Sequence, residues 1–384
     1  MTADRARTEV IASGASWIEG AALQQLEKTA ELPGMLRAVG MPDLHPGKGS
    51  PVGAVFACEG WIYPALVGND IGCGMGLWAL DLAARKLPLE KWVKRLRRMA
   101  EPWDGNKQDW LKGYGQQAST FDTALGTIGG GNHFAELQKI ERIVDQQALT
   151  ALGVDPDRLM LLVHSGSRGL GEAILREHVQ RYRGEGLQED SDVARDYLKH
   201  HAAAMVWATA NRGLIAHRFA GLLGTVSEMF LDRCHNSVEP TEIGGCRCWL
   251  HRKGATPATQ GPVVIPGSRG DWSYLLKPEL PAQRPDRGLY SLAHGAGRKF
   301  NRGEMKGRVR ERCSAAALTR TRLGSHVICD DRDLLYEEAP QAYKDVDRVV
   351  RDLTDAGLAR VIAVLRPLIT YKTADLHRTK HGAR

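Results

Sequence analysis

Histidine recurs in this sequence beside glycine and small polar residues, a setting that presents an imidazole on a turn. Five places share it: Asp43-Leu44-His45-Pro46-Gly47, Gly131-Asn132-His133, the segment from His164 to Gly169, His251-Arg252-Lys253-Gly254, and the segment from His294 to Arg298. Asp70-Ile71-Gly72-Cys73-Gly74 adds a carboxylate and a thiol three residues apart on a glycine turn, placed to reach one cation together. Imidazole, thiolate and carboxylate in combination suit Zn, Mn or Fe, whereas Mg or Ca would want oxygen alone. A second theme is anion recognition. Ser165-Gly166-Ser167-Arg168, Pro266-Gly267-Ser268-Arg269 and Gly295-Ala296-Gly297-Arg298 set backbone N–H groups beside a guanidinium, the donors a phosphate needs. Other residues read as structural. His200, His201 and His217 fall in a long helical pattern, His235 and His326 have no glycine-rich turn around them, and Cys246-Arg247-Cys248 reads as two side chains on one strand face.

Such residues need loops that hold them. Glycine, 42 of 384 residues, clusters beside short apolar runs at 52–56, 159–163 and 263–265, as expected where strands end in loops that need positive φ or close backbone approach. Apolar residues at three- and four-residue steps predict helices over 87–99, 191–226 and 344–365. The polar stretch 181–192 and the proline-rich stretch 277–288 read as surface insertions. Strands mix with helices without a βαβ rhythm. That predicts an α+β fold: one large mixed domain over residues 1–384, with a central β core, helices around it and the active site on glycine-rich strand-end loops.

Composition is consistent with this. Hydrophobic residues at 43% and charged residues at 25% reject disordered, collagenous and coiled-coil readings, and a net charge of +7 suits a polyanionic partner. Seven scattered cysteines fit reduced thiols better than a disulfide framework. The first twenty residues lack an apolar run after their charges, and no later stretch reaches the roughly 18 apolar residues that span a bilayer. A cytoplasmic protein with no membrane partner is the expectation. No P-loop and no well-placed Gly-x-Gly-x-x-Gly turn is present, so a nucleotide, if bound, is bound in another way.

Taken in order, these segments resemble the RtcB family of RNA ligases, which join RNA ends using GTP and manganese. The resemblance is carried by MPDLHPGKG from Met41, GNDIGCGM from Gly68, GGGNHF from Gly129 with Glu136, and VHSGSRGLG from Val163. It continues through Ala210-Asn211-Arg212, His235-Asn236 before Glu239, HRKGAT from His251, Pro266 to Ser268, Ser291 to Arg298, and EEAPQAYKD from Glu337. It implies that Asp70, Cys73, His133, His164 and His251 hold two Mn²⁺ ions with Cys73 shared, and that His294 attacks the α-phosphate of GTP. It likewise implies a guanylate site of Asn132, Glu136, Pro266, Gly267, Ser268, Gly295, Ala296, Gly297, Tyr343 and Lys372, and phosphate contacts from Arg168, Arg298 and Arg302.

The chemistry so implied has three steps: guanylylation of His294, transfer of GMP to an RNA 3′-phosphate, and attack by a 5′-hydroxyl that expels GMP. A 2′,3′-cyclic phosphate would first be opened at the same site. Departures mark a divergent bacterial branch: Asn69 before Asp70, Pro46 and Pro51 in the first motif, Pro257 where an arginine is common, and Lys372-Thr373 followed by a basic tail, Ala374 to Arg384, where the family commonly ends near Lys-Gly. Some members of such a branch are encoded beside a release-factor-like protein, so the expected partners are broken tRNA or ribosomal RNA and a protein of that kind. Two other readings compete. A metal-dependent RNA end-processing phosphodiesterase would need the metal ligands but not His294, and a non-catalytic RNA-binding protein would form no covalent nucleotide.

Overall fold

The computed structural model describes residues 7–311 and 313–373; the basic tail lies outside the described residues. Among these residues the strands form two main sheets. The larger runs in the order Val263–Pro266, Ser273–Pro278, Ala359–Tyr371, Phe134–Ile143, Arg158–Ser165, Gly74–Ala83, Ser227–Cys234, with the short strand His326–Ile328 beside Ala359–Tyr371. The smaller is ordered Arg7–Val10, Met35–His45, Val52–Cys58, Cys246–Lys253, Asn236–Ile243. Nearly every neighbouring pair is antiparallel, parallel pairing being confined to Arg7–Val10 with Met35–His45 and to His326–Ile328 with Ala359–Tyr371. This is the α+β mixture that irregular alternation in the sequence predicts.

Leu159, Met160, Leu161, Leu162 and Val163 are all buried, so both faces of the central strands are covered. On one face Leu137, Leu161 and Val163 pack against Ile215 and Phe219 of the long helix Asp192–Leu223 and against Trp92 and Leu96 of the helix Leu89–Leu96. Elsewhere Val39, Val55 and Leu250 of the smaller sheet meet Val263, Leu276 and Val364 of the larger one and Val349, Val350 and Leu353 of the helix Val346–Asp355. The long helix is stopped at both ends by its sequence: the Ser191 hydroxyl accepts from the Ala194 amide, and Gly224 takes φ +80° at the other end.

Two of the three predicted helices fall where the periodicity puts them. The third stops early: the helix ends at Asp355, Gly357 turns the chain with φ +71°, and residues 359–371 form a thirteen-residue strand in the middle of the larger sheet. The apolar run crosses the turn without interruption, so its spacing imitates one long helix. Val361, Ile362, Val364 and Ile369 are β-branched and suit the strand, and Pro367 sits at an irregularity in the pairing with Phe134–Ile143. Of the two surface stretches, 277–288 leaves the strand Ser273–Pro278 as a loop whose Arg284 and Arg287 pair with Glu9.

Candidate active site

The central strands of the larger sheet bring their ends into one row. His133 immediately precedes the strand Phe134–Ile143, His164 is the penultimate residue of Arg158–Ser165, and Cys73 immediately precedes Gly74–Ala83. Pairing of His164 with both Phe134 and Met75, and of Gly74 with Cys234, sets them side by side. His235 completes the row as the single residue between Ser227–Cys234 of the larger sheet and Asn236–Ile243 of the smaller.

Cys73 Sγ lies 3.3 Å from His133 Nε2 and 3.2 Å from His164 Nε2, and Asp70 Oδ2 lies 2.9 Å from His133 Nε2. Two donor groups result, Asp70–Cys73–His133 and Cys73–His164–His235, each with its ligand atoms within 4.8 Å of one another. Cys73 belongs to both. The His164 Nδ1–H faces the Asn132 carbonyl at 3.2 Å, which leaves Nε2 with its lone pair toward the thiol. Burial holds His164 and His235 well below the ordinary histidine range, in the neutral form that binds metals. Burial alone would raise Asp70, but its contact with His133 and the nearby Arg168 charge hold it lower. His235 Nδ1 is buried without a hydrogen-bond partner among the described residues. A shared thiolate, three imidazoles and a carboxylate fit a pair of borderline divalent cations.

The scaffold behind the row comes from the long helix. Arg212, fully buried, donates to the Gly72 carbonyl at 2.7 Å and the Ser165 carbonyl at 2.8 Å and pairs with Asp232. Asn211 donates to the Ser165 hydroxyl at 3.1 Å and accepts from the Gly126 amide at 2.7 Å. Glycine is required where the loops close on the ligands: a Cβ on Gly166 would lie 2.3 Å from Asp70 Oδ1, and one on Gly129 2.0 Å from the Arg168 guanidinium.

His294 approaches from the strand Ser291–Ala293 and stands over the row, its ring centre 4.7 Å from that of His235. Its Nδ1 lies at ion-pair distance, 2.6 Å, from Oδ2 of Asp43, a carboxylate with no exposure that also accepts from the His294 amide at 3.3 Å, and its Nε2 is the nitrogen turned from that carboxylate. His45, 6.5 Å away between ring centres, faces the Asp43 carbonyl through Nδ1, and burial pushes it down to about 4. A cavity of about 1010 Å³ joins these residues to Asn132, Glu136, Pro266, Gly267, Ser268, Gly295, Ala296, Gly297, Tyr343 and Lys372. Glu136 is pushed up to about 7 by burial, and its carboxylate accepts from Gln138 at 2.7 Å and from Thr370. Lys372, brought down to about 8 by burial, donates to the His133 carbonyl at 2.8 Å. Arg298 and Arg302 also face the cavity, tied to the buried Glu338 at 3.0 and 2.9 Å.

Two expected residues lie elsewhere. His251 stands in the middle of the strand Cys246–Lys253, outside both donor groups, and its Nε2 accepts the Tyr63 amide at 2.9 Å. That lone pair is spent on backbone, and His235 takes the place expected of His251. Arg168 does not line the cavity but sits behind the donors, its guanidinium 3.3 Å from His133 Nδ1. Sequence reasoning missed His235, Asp43 as the partner of His294, and Glu338 between the arginines. The available signals are the position of His235 directly before Asn236, and the carboxylates Asp43 and Glu338 within the segments that begin at Met41 and Glu337.

Residues 25–119 and 103–373 match the family model described as tRNA-splicing ligase RtcB. The chain belongs to the RtcB family. A relative from Escherichia coli, RNA-splicing ligase RtcB2, is 50% identical over 367 residues, 95% of each chain. RNA-splicing ligase RtcB of Mycobacterium tuberculosis is 30% identical over 90% of this chain and 99% of its own, and tRNA-splicing ligase RtcB of Archaeoglobus fulgidus is 30% identical over 91% of both. Within the matched range the segments around Asp70, Cys73, His133 and His164 meet at the strand ends, and His294 stands over them. No described helix is long and apolar enough to cross a membrane.

Proposed function

We propose that this chain, acting as one ligase unit over residues 1–384, joins an RNA 3′-phosphate to an RNA 5′-hydroxyl through a guanylate carried on His294, with GTP and two Mn²⁺ ions. The observation that carries the reading is the placing of a carboxylate-braced histidine 4.7 Å between ring centres from a donor row of thiol, imidazole and carboxylate, in one cavity with arginines. Asp70, Cys73 and His133 would hold one ion and Cys73, His164 and His235 the other. Such ions supply charge neutralisation on the triphosphate and on the RNA phosphate.

The chain's own groups then do the following. Asp43 holds the proton on His294 Nδ1, so Nε2 presents its lone pair to the α-phosphorus. The N–P bond forms, the P–O bond to the β-phosphate breaks, and pyrophosphate leaves. Growing positive charge on the imidazole is balanced by Asp43. Transfer of the guanylate to an RNA 3′-phosphate oxygen breaks the N–P bond and restores neutral His294. Attack of the 5′-hydroxyl oxygen on the activated phosphate then forms the phosphodiester, releases its proton and expels GMP. Arg298 and Arg302, aligned by Glu338, are placed to receive phosphate charge, and Glu136 with Lys372 offers an acceptor and a donor to the edge of guanine. A 2′,3′-cyclic end is opened to the 3′-phosphate first, and the substrates are broken tRNA or ribosomal RNA, with a release-factor-like protein as the candidate partner.

The test is incubation with Mn²⁺ and α-labelled GTP followed by denaturation. Acid-labile label on the wild-type chain, absent from His294→Ala, supports the reading. End hydrolysis that survives in His294→Ala without any labelled chain would replace it by the phosphodiesterase reading.

A further inference from the structure

Residues 298–302 line two cavities at once. Arg298 and Arg302 face the catalytic cavity, while Lys299 forms part of a second one of about 340 Å³. Tyr343 lines both, and Lys344 beside it lines the second. Lys344 Nζ donates to the carbonyls of Pro42 at 3.1 Å and Leu44 at 2.6 Å, so the two cavities lie back to back across the backbone that carries Asp43.

The second cavity is walled by Trp17, which is 42% exposed and has Phe300 as its neighbouring ring, centroids 6.4 Å apart. Cations gather at this pair. Lys299 Nζ lies 5.9 Å from the Trp17 ring centre and 5.7 Å from that of Phe300, and Arg308 lies 4.7 Å over Phe300. Lys344 Nζ is 6.0 Å from Trp17, and Arg348, held at the rim by the hydroxyls of Ser13 and Ser16, also pairs with the buried Asp352 at 3.6 Å, with Asp345 the acidic residue among those lining the cavity. An exposed aromatic face edged by cations provides what an unpaired base and its phosphates require, a stacking platform with charge beside it. Protein interfaces also use tryptophan and arginine, but they are depleted in lysine, and two of these four cations are lysines.

We infer that this second cavity is a subsite for single-stranded RNA, in which a nucleobase a few residues from the reacting end stacks on Trp17 while its phosphates meet Lys299 and Arg348. The inference rests on the ligase reading for its ligand. It adds a contact outside the catalytic cavity that a strand passing Tyr343 would reach.

The test uses the full chain and a fluorescent unpaired RNA of roughly a dozen nucleotides ending in a 3′-phosphate, titrated by anisotropy at fixed salt. Trp17→Ala weakens binding roughly tenfold, the loss of one base–aromatic stack, and Trp17→Phe recovers most of it. A nucleoside 3′-phosphate, too short to reach Trp17, binds wild type and Trp17→Ala alike. Guanylylation by GTP, which uses no RNA, stays at the wild-type rate in both variants. Unchanged RNA affinity in Trp17→Ala overturns the inference and leaves this face to a protein partner. Loss of guanylylation in parallel with RNA binding also overturns it, because Trp17 would then act through the catalytic loop. Absence of guanylylation in the wild type counts against the ligase reading instead, and the titration still decides the role of Trp17.

Discussion

Asp43→Asn isolates the charge behind the nucleophile. The carboxylate has no exposure, and its Oδ2 lies 2.6 Å from His294 Nδ1 and 3.3 Å from the His294 amide. Asparagine keeps the shape and one acceptor oxygen, so the ring stays oriented and the difference is the negative charge. As Nε2 bonds to phosphorus the ring becomes cationic, and its ion-pair contact with the buried carboxylate stabilises that cation by more than the neutral contact asparagine keeps, a difference of about 0.8–1.5 kcal/mol if a charged contact is worth roughly twice a neutral one. Losing that difference from the transition state slows the step roughly 4- to 12-fold. The assay is single-turnover appearance of labelled chain at saturating GTP, with thermal unfolding as the control that the buried site has not collapsed. Wild-type guanylylation rates in a folded Asp43→Asn would refute the role given to Asp43, and with it the assignment of Nε2 as the attacking atom.

Metal content separates two histidines: His235→Ala loses about one ion per chain by elemental analysis, whereas His251→Ala keeps both and is destabilised by about 1–3 kcal/mol in denaturant, because the Tyr63 amide loses its acceptor. Guanylate affinity has a pH window. Glu136, raised to about 7, must lose its proton to accept from guanine N–H groups, and Lys372, lowered to about 8, must keep its own to donate, so affinity falls below about 7 and above about 8; a profile flat from 6 to 9 by calorimetry removes the pair from guanine recognition. Arg212→Met leaves Asp232 buried without its cation and unfolds the chain about 3–5 kcal/mol more easily, with metal lost in parallel; a stable Arg212→Met that keeps its ions would show that the Gly72 and Ser165 carbonyls need no brace.

Asp70, Cys73, His133, His164 and His294 are legible because local glycine turns present them, and a turn is written in adjacent residues. His235 has no such signature. It reaches the site because one strand leaves the larger sheet and the next enters the smaller, a crossing fixed by pairing with Gly74–Ala83 and Cys246–Lys253. His251 misleads for the converse reason: Gly254 supplies the turn, but the histidine three residues earlier is already inside a strand. The strand Ala359–Tyr371 is hidden in the same way, since apolar spacing carries no mark of the turn at Gly357. Glu338 was visible only as part of a motif, because its task, holding Arg298 and Arg302, depends on distant segments meeting.

That row of strand ends has a consequence for how the protein comes into being. The thiol, imidazole and carboxylate donors are spread from residue 70 to residue 235, the proposed nucleophile His294 follows, and Lys372 comes after it. A nascent polypeptide therefore assembles the site in stages, the donors before His294 and His294 before Lys372. Cys73, His133 and His164 meet when the larger sheet closes, His235 joins them where the chain crosses to the smaller sheet, and the strand Ala359–Tyr371 that seats Lys372 is made after all of them. The site is complete only after that strand has joined the larger sheet.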